Sequence, residues 1–329
     1  AIEGLSVPIV AVRTSHGVAA EHGADLLDDL LESGPTDTWY LPPIAPDDDV
    51  SILYTSGSTG FPKGAVATHR GVVHGAFSYL VQGLALLKLS EAAGAHVPPQ
   101  QIMLLTVPLF HVTGLVPLML VSVAIGRKFI MMHRWDAGEA IRLIDKEKCT
   151  YFVGVPTMTH EIMSHPERDK YDLSTVTDWA AGGAPRPAEH VERLAKAIPT
   201  GKPAIGYGLT ETNGVGAGIL RESYLARPTS TGRASKPVVE IAILDDDGTA
   251  LAPHAVGEVC IRSAANVRGY WRRPKETAEA FDKAGWFHTG DVGYLDEDGF
   301  LFIVDRKKDI IIRGGENISC QEVEAAIYA

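Results

Sequence analysis

The sequence predicts an α/β protein, an open sheet with crossover helices to which a β-rich subdomain is added. Three observations lead there. From residue 50 to about 210, short apolar runs alternate with amphipathic stretches of helical period, the pattern of strands joined by helices. From about 217 to 304 the period falls to two, with polar turns between the runs. The 329 residues are 45% hydrophobic and 22% charged, ordinary for a chain that buries more than one core.

Taken in order, residues 1–49 read as an irregular lead-in that ends in the acidic, proline-rich stretch Pro42 to Asp49. The α/β subdomain spans 50–216. It opens with a strand over Val50 to Tyr54, then a glycine-rich loop, then a helix from Arg70. Further strands are expected at Ile102 to Val107, Tyr151 to Val155 and Ala204 to Tyr207. Helices are expected at Asp136 to Lys146, where Asp136 and Glu139 suit a capping box, and at Pro187 to Ala197. Leu115 to Ile125 is the longest apolar run, read as a buried helix because it is too short for the roughly 20 residues of a membrane crossing. The β-rich subdomain spans 217–305, with strands at Val238 to Leu244 and Glu258 to Arg262, and is expected to form a small barrel or sandwich. Residues 306–329 read as a joint and the start of a further domain, with Ser319 and Glu322 capping its helix.

Composition excludes several classes of function. Forty-one acids against thirty bases give a formal net charge of −11, unfavourable for nucleic acid or an anionic membrane surface. The three cysteines, Cys149, Cys260 and Cys320, lie far apart with no CxxC spacing, so neither a disulfide framework nor a zinc site is expected. A reducing cytoplasm is the expected location. The chain opens without methionine and stops inside an expected helix, the pattern of a fragment.

The segment Thr55 to Gly64 packs four hydroxyls, three glycines and one lysine into ten residues. Glycines let backbone N–H groups turn toward an anion, hydroxyls add donors, and Lys63 supplies a full positive charge. Pro62 before Lys63 and Gly64 after it exclude a Walker loop. A second segment, Gly206 to Thr212, falls at an expected strand end, where ligands collect in open sheets. There Tyr207 can offer a ring face, Thr210 a hydroxyl, and Glu211 a carboxylate for Mg²⁺. In a third, Gly285 to Gly293, Asp291 is placed to accept both hydroxyls of a ribose. The fourth is the charged run Asp305 to Asp309.

These four segments, in this order, resemble the adenylate-forming (AMP-binding) superfamily of acyl-CoA synthetases, firefly-type luciferases and peptide-synthetase adenylation domains. The resemblance implies that Thr55, Ser56, Gly57, Ser58, Thr59, Gly60 and Lys63 cradle phosphate. It gives Thr210 and Glu211 to phosphate and metal, Tyr207 to adenine, and Asp291 and Arg306 to ribose. Lys308 falls at the hinge of the family's C-terminal domain. Gly182, Gly183 and Ala184 resemble the loop beside adenine and acyl group, and His111 a residue lining the acyl pocket. Gly314 and Gly315, in Arg313 to Ser319, resemble the border of the pantetheine channel in acyl- and aryl-CoA ligases. Arg186 and Gly71 depart from the family's usual residues and are read as surface variation. The family's adenylation lysine lies in the C-terminal domain, beyond this chain, so little turnover is expected of residues 1–329 alone.

The implied cofactors are ATP, Mg²⁺ and coenzyme A, and the implied partner is a small-molecule carboxylate. The reaction is attack of that carboxylate on the α-phosphate, giving acyl-AMP, then transfer to CoA. Two unit charges of like sign about 4 Å apart repel by roughly 4 kcal/mol at an effective dielectric near 20, so cations must compensate. Glycines at 214, 216 and 218 remove side chains from a wall that would suit a hydrophobic tail, at roughly 0.8 kcal/mol per buried methylene, or else they form a turn. A fatty or other hydrophobic carboxylate is favoured over acetate. Transfer to a carrier-protein thiol, and a non-catalytic nucleotide-binding module, remain as alternatives; homo-oligomerisation is left open.

Overall fold

The computed structural model describes residues 10–11, 15–21, 23–32, 42–55, 62–94, 100–184, 186–307, 311–313 and 316–318. The expected cap at Ser319 and Glu322 lies outside them. By internal contacts the chain divides into Ala1–Ala45 and Pro46–Ala329. In the first, β1 (Val10–Ala11) pairs in parallel with β2 (Asp25–Leu26), with α1 (His16–Glu21) between them and α2 (Leu27–Glu32) after.

The second unit opens with a hairpin. Strand β3 (Asp49–Thr55) pairs antiparallel with β4 (Lys63–Thr68), and Thr55 faces Lys63 across the ladder. The glycine-rich segment therefore joins two strands, where the sequence suggested strand, loop and helix. Strand β4 is short, built from small residues, and buried along Gly64 to Ala67, so it shows no alternation to betray it. Val50, Ile52 and Tyr54 of β3 are exposed, apolar though they are, β3 being the edge of a three-stranded sheet. Thr68 then caps α3 (His69–Ala92), its hydroxyl accepting from the N–H of Gly71 at 3.1 Å.

The parallel half contains β5 (Ile102–Leu105), a π-helical stretch over Gly114–Leu120 holding Pro117, α4 (Val121–Ile125), β6 (Lys128–Met131), α5 (Ala137–Glu147), β7 (Tyr151–Gly154), α6 (Pro156–Ser164), β8 (Asp178–Ala181), α7 (Ala188–Ala197) and β9 (Lys202–Tyr207). Its spatial order is β6, β5, β7, β8, β9, all parallel. Ile141, Ile144, Phe152, Ile162, Trp179 and Leu194 fill the core between these strands and their helices. Half of the expected capping box forms: Asp136 accepts from the N–H of Glu139 at 2.8 Å, while the Glu139 carboxylate turns to Arg142. The apolar run Leu115 to Ile125 is helical throughout, as expected, π-helical to Leu120 and α-helical after it; Val116, Pro117, Leu118, Val121 and Ser122 are buried, while Val123 and Ile125 at its end are exposed. It is α3, 24 residues with mean hydropathy 1.4 over its most apolar stretch, that is long and apolar enough to cross a membrane among the described residues.

The remaining strands are antiparallel: β10 (Ala217–Leu220), then α8 (Arg221–Ala226), β11 (Gly232–Ala234), β12 (Val239–Leu244), β13 (Gly257–Ser263), β14 (Gly269–Tyr270), α9 (Pro274–Ala280), β15 (Phe287–Leu295) and β16 (Phe300–Arg306). Here the expectation of a separate barrel or sandwich is corrected. Strand β10 turns back along β9, and the order continues β11, β16, β15, β13, β12, so these strands extend the parallel sheet into an open run of eleven. Strand β14 joins β4 in the hairpin sheet instead. A last hairpin pairs β17 (Ile311–Arg313) with β18 (Glu316–Ile318).

Candidate active site

The turn between β9 and β10 is tied from several sides. A 3₁₀ turn over Thr210–Thr212 places Glu211 inside the protein, and Asn213 follows with φ of 51°. The Asn213 amide donates to the carbonyl of Ala265 at 2.7 Å, and Tyr79 donates its hydroxyl to the carbonyl of Gly214 at 2.5 Å. Gly208 is required by close approach, since a Cβ there would lie 2.1 Å from the carbonyl oxygen of Gly214.

Glu211 accepts a hydrogen bond from the Tyr270 hydroxyl at 2.8 Å through Oε1. The same ring carries the Lys63 ammonium, 4.6 Å above its centroid. Tyr270, which the sequence did not single out, therefore connects the lysine of the hairpin to the buried carboxylate of the turn. Burial, and then the Glu211 charge, hold its phenol far above the ordinary tyrosine pKa, so it stays a donor.

A second cluster adjoins along the chain. Asp291 on β15 is buried and faces Arg306 across the β15/β16 ladder. Its Oδ1 accepts from Arg306 Nε at 2.8 Å, and its Oδ2 from the Tyr207 hydroxyl at 2.6 Å. Thr289, also missed by the sequence reading, accepts from the Asp291 N–H at 3.0 Å. Burial, then Asp291, push the Tyr207 phenol well up, and the bond it donates fixes the plane of the ring. Only four positions separate Tyr207 from Glu211, at most about 14 Å of extended chain. Lys63, Glu211, Tyr207, Asp291 and Arg306 thus belong to one connected set.

The other expected residues are distributed around it. Thr55 ends β3, its hydroxyl donating to the carbonyl of Lys63 at 3.4 Å. Gly182, Gly183 and Ala184 follow β8, and a Cβ on Gly182 would lie 3.5 Å from the carbonyl of Gly206 on β9. Thr210 is half-buried. His111 precedes the π-helical stretch and accepts from the N–H of Thr113 at 3.2 Å through Nδ1, and desolvation by its surroundings lowers its pKa. Gly214, with φ of 79°, lies against Val112 and Pro117 next to His111. Gly216 opens no pocket wall: a Cβ would lie 2.4 Å from the carbonyl oxygen of Tyr207, so backbone packing accounts for it. Ser56, Gly57, Ser58, Thr59, Gly60, Lys308, Gly314 and Gly315 lie outside the described residues.

Two departures read as surface variation are corrected. Gly71 is buried, and a Cβ there would meet the Asn213 amide nitrogen at 3.1 Å. Arg186, at 6% exposure, is buried beside Tyr224, and neither terminal nitrogen of its guanidinium has a hydrogen-bond partner among the described residues.

The AMP-binding enzyme family profile matches residues 9–271, most of the chain. The chain belongs to the AMP-binding enzyme family. Among its relatives is a long-chain-fatty-acid–CoA ligase of Bacillus subtilis (strain 168), 37% identical over 91% of this chain and 51% of that protein. Another is 4-coumarate–CoA ligase 1 of Solanum tuberosum, 34% identical over 86% of the chain and 51% of the relative. The chain spans about half the length of these curated relatives. An inhibitor-bound N-terminal domain of FACL13 from Mycobacterium tuberculosis superposes with a TM-score of 0.75 at 32% identity, covering 90% of this chain and 73% of that one. A Bacillus subtilis O-succinylbenzoate coenzyme A synthetase in complex with ATP and magnesium ion gives 0.79 at 27% identity, over 98% and 64%. The α/β class read from the sequence is thus the fold this family member has. Asp291 and Arg306 lie beyond the matched range, so their place in the site rests on the geometry above.

Proposed function

We propose that the protein to which this chain belongs ligates a hydrophobic carboxylate, of the fatty class, to coenzyme A through an acyl-AMP intermediate at the expense of ATP. The observation that supports the reading is that Lys63 and Glu211 share Tyr270, while Asp291 is bonded to Tyr207, four residues before Glu211 in the same strand-to-turn segment. A cation and two carboxylates set this way suit the phosphates, metal and ribose of a nucleotide.

Each residue has a role that follows from its setting. Tyr207 presents a ring face to the base, its plane held by the bond to Asp291. Asp291 keeps acceptor capacity for the ribose hydroxyls, since each carboxylate oxygen offers two lone pairs and Tyr207 and Arg306 each use one. Lys63 rests on the Tyr270 ring, a weak partner that it leaves readily for a phosphate oxygen. Glu211 suits Mg²⁺: Oε1 is held by Tyr270, and Oε2, with no hydrogen bond among the described residues, would take a hard cation, which usually binds one or two carboxylates plus phosphate oxygens. Bound there, Mg²⁺ supplies positive charge to the phosphates. Lys63 adds to it, lowering the repulsion that the incoming carboxylate meets at the α-phosphate.

The test is pyrophosphate exchange and AMP release by the full-length protein, with ATP, CoA and a panel of carboxylic acids. Lys63→Ala and Glu211→Ala are each expected to lower exchange about 100-fold or more, as removal of one preorganised charge or donor does at comparable sites. Asp291→Ala should act mainly on KM for ATP. Unaltered kinetics in all three variants reject the reading. Release of ADP would indicate a kinase, and thioester formed only on a carrier protein would move the acceptor from CoA to that thiol.

A further inference from the structure

Outside the nucleotide set, three side chains of different chemistry converge on one face of the sheet. Cys260 on β13 is the direct cross-strand partner of His288 on β15, and Glu258 lies two positions before Cys260. A register shift between Glu258 and Cys260 re-aims the carboxylate toward the ring. His288 Nδ1 is 3.4 Å from Cys260 Sγ and 3.0 Å from Glu258 Oε2, and all three ligand atoms lie within 4.8 Å of one another.

We propose that Glu258, Cys260 and His288 form a binding site for a thiophilic divalent cation of the zinc class. Tetrahedral zinc, with bonds of about 2.3 Å to sulfur and 2.0–2.1 Å to nitrogen or oxygen, sets S···N near 3.5 Å and N···O near 3.3 Å. The two separations from Nδ1 need adjustments of a few tenths of an ångström, and the sulfur and carboxylate oxygen, within 4.8 Å of each other, close together by rotation of the Glu258 side chain. Three atoms with lone pairs crowd one point, and Nδ1 carries at most one proton to share between the other two. A dication satisfies all three, with the thiol proton leaving to solvent.

The surroundings favour it further. Asp282 Oδ2 lies 3.7 Å from His288 Nε2, the outer carboxylate that characteristically turns the opposite ring nitrogen into a ligand. Lys307 reaches Glu258 Oε2 at 3.2 Å and Asp246 at 3.5 Å. Two carboxylates therefore share one ammonium, and Lys307 is exposed enough to swing aside. A sulfur and a ring nitrogen disfavour Mg²⁺, which demands oxygen ligands, so this site is distinct from the carboxylate of Glu211. It also lies just beneath the ribose carboxylate, because Glu258 Oε1 accepts from the N–H of Gly290 at 3.1 Å. A bound cation would pin β13 to β15 next to Asp291.

Metal-stripped protein titrated with Co²⁺ under anaerobic conditions tests this directly. We expect one equivalent bound, a sulfur-to-cobalt charge-transfer band in the near ultraviolet, displacement by Zn²⁺ but not by millimolar Mg²⁺, and a raised Tm. Cys260→Ser and His288→Gln should each weaken Co²⁺ binding at least tenfold, and Asp282→Asn several-fold, while Cys149→Ser and Cys320→Ser leave the band in place. Far-ultraviolet circular dichroism checks that each variant folds, and the milder Asp282→Asn serves if the ligand variants do not. No band in the wild type, or a band that survives Cys260→Ser, overturns the proposal; either result leaves the ligase reading, which rests on other residues, untouched.

Discussion

Arg186 carries a full charge into the interior near α7 and α8, and its two terminal nitrogens find no hydrogen-bond partner among the described residues. Burial lowers its pKa, which means that the folded state penalises its charge. Replacing buried ionic groups with apolar ones of similar volume is often neutral or stabilising by about 1–4 kcal/mol. Arg186→Met should therefore raise Tm, by roughly 2–4 °C per kcal/mol gained in a protein of 150–250 residues; a thermal melt showing a fall would refute the account. His190 adds a pH dependence. Burial, then His160, Arg193 and Arg186, hold its pKa below 6.5. A depressed histidine pKa favours the neutral form in the fold, so the associated stability is present above 6.5 and is lost as pH falls through the folded value. Melts between pH 7 and pH 5 should show a smaller loss for Arg186→Met than for the wild type. Nothing in the sequence signals this burial, because an arginine three residues after a glycine pair looks like any loop residue. Tyr207, Asp291 and Arg306 each stand in a motif, and the fold brings the three into one hydrogen-bonded cluster. Tyr270 is not legible in the sequence: its partner Glu211 is 59 positions away, and only the pairing of β14 with β4 brings the ring beneath Lys63.

At the scale of elements, the glycines of the β9 turn separate those required by shape from those that are incidental. A Cβ on Gly208 would press 2.1 Å from the Gly214 carbonyl, whereas one on Gly206 would meet nothing within 4 Å. Gly208→Ala must therefore displace the turn that holds Glu211 against Tyr270. Pyrophosphate exchange by the full-length variant should fall at least tenfold, with Gly206→Ala retaining most activity as the control. Equal activities would mean that the turn yields without moving Glu211. The strands and helices around this turn were readable from period and caps, as at Asp136 and α5. Strand β4 was hidden because small residues buried on both faces leave no alternation, and the joining of the two sheet halves was hidden because β9 and β10 meet through backbone bonds that no side-chain pattern announces.

Across the whole molecule, the least resolved demand is the outer face of α3. Gly71, Val72, Gly75 and Ser78 face inward, while Val73, Phe77, Val81 and Leu84, one stripe at helical spacing, are 51%, 57%, 61% and 47% exposed. Contiguous apolar surface of this kind marks a contact site or a tendency to aggregate. The net charge of −11 opposes association of like chains, but only over a screening length of about 10 Å at 0.1 M salt. Residues 1–329 on their own should thus self-associate weakly at low ionic strength and more strongly as salt rises. Sedimentation velocity over a concentration series would show the weight-average coefficient climbing, and climbing further in 0.5 M salt. Val73→Lys with Phe77→Glu and Val81→Lys should abolish the trend without lowering Tm by more than a few degrees, because none of the three side chains is buried. A wild-type chain that stays monomeric at every concentration and salt level would show that this stripe is too small or too interrupted to act as a contact surface.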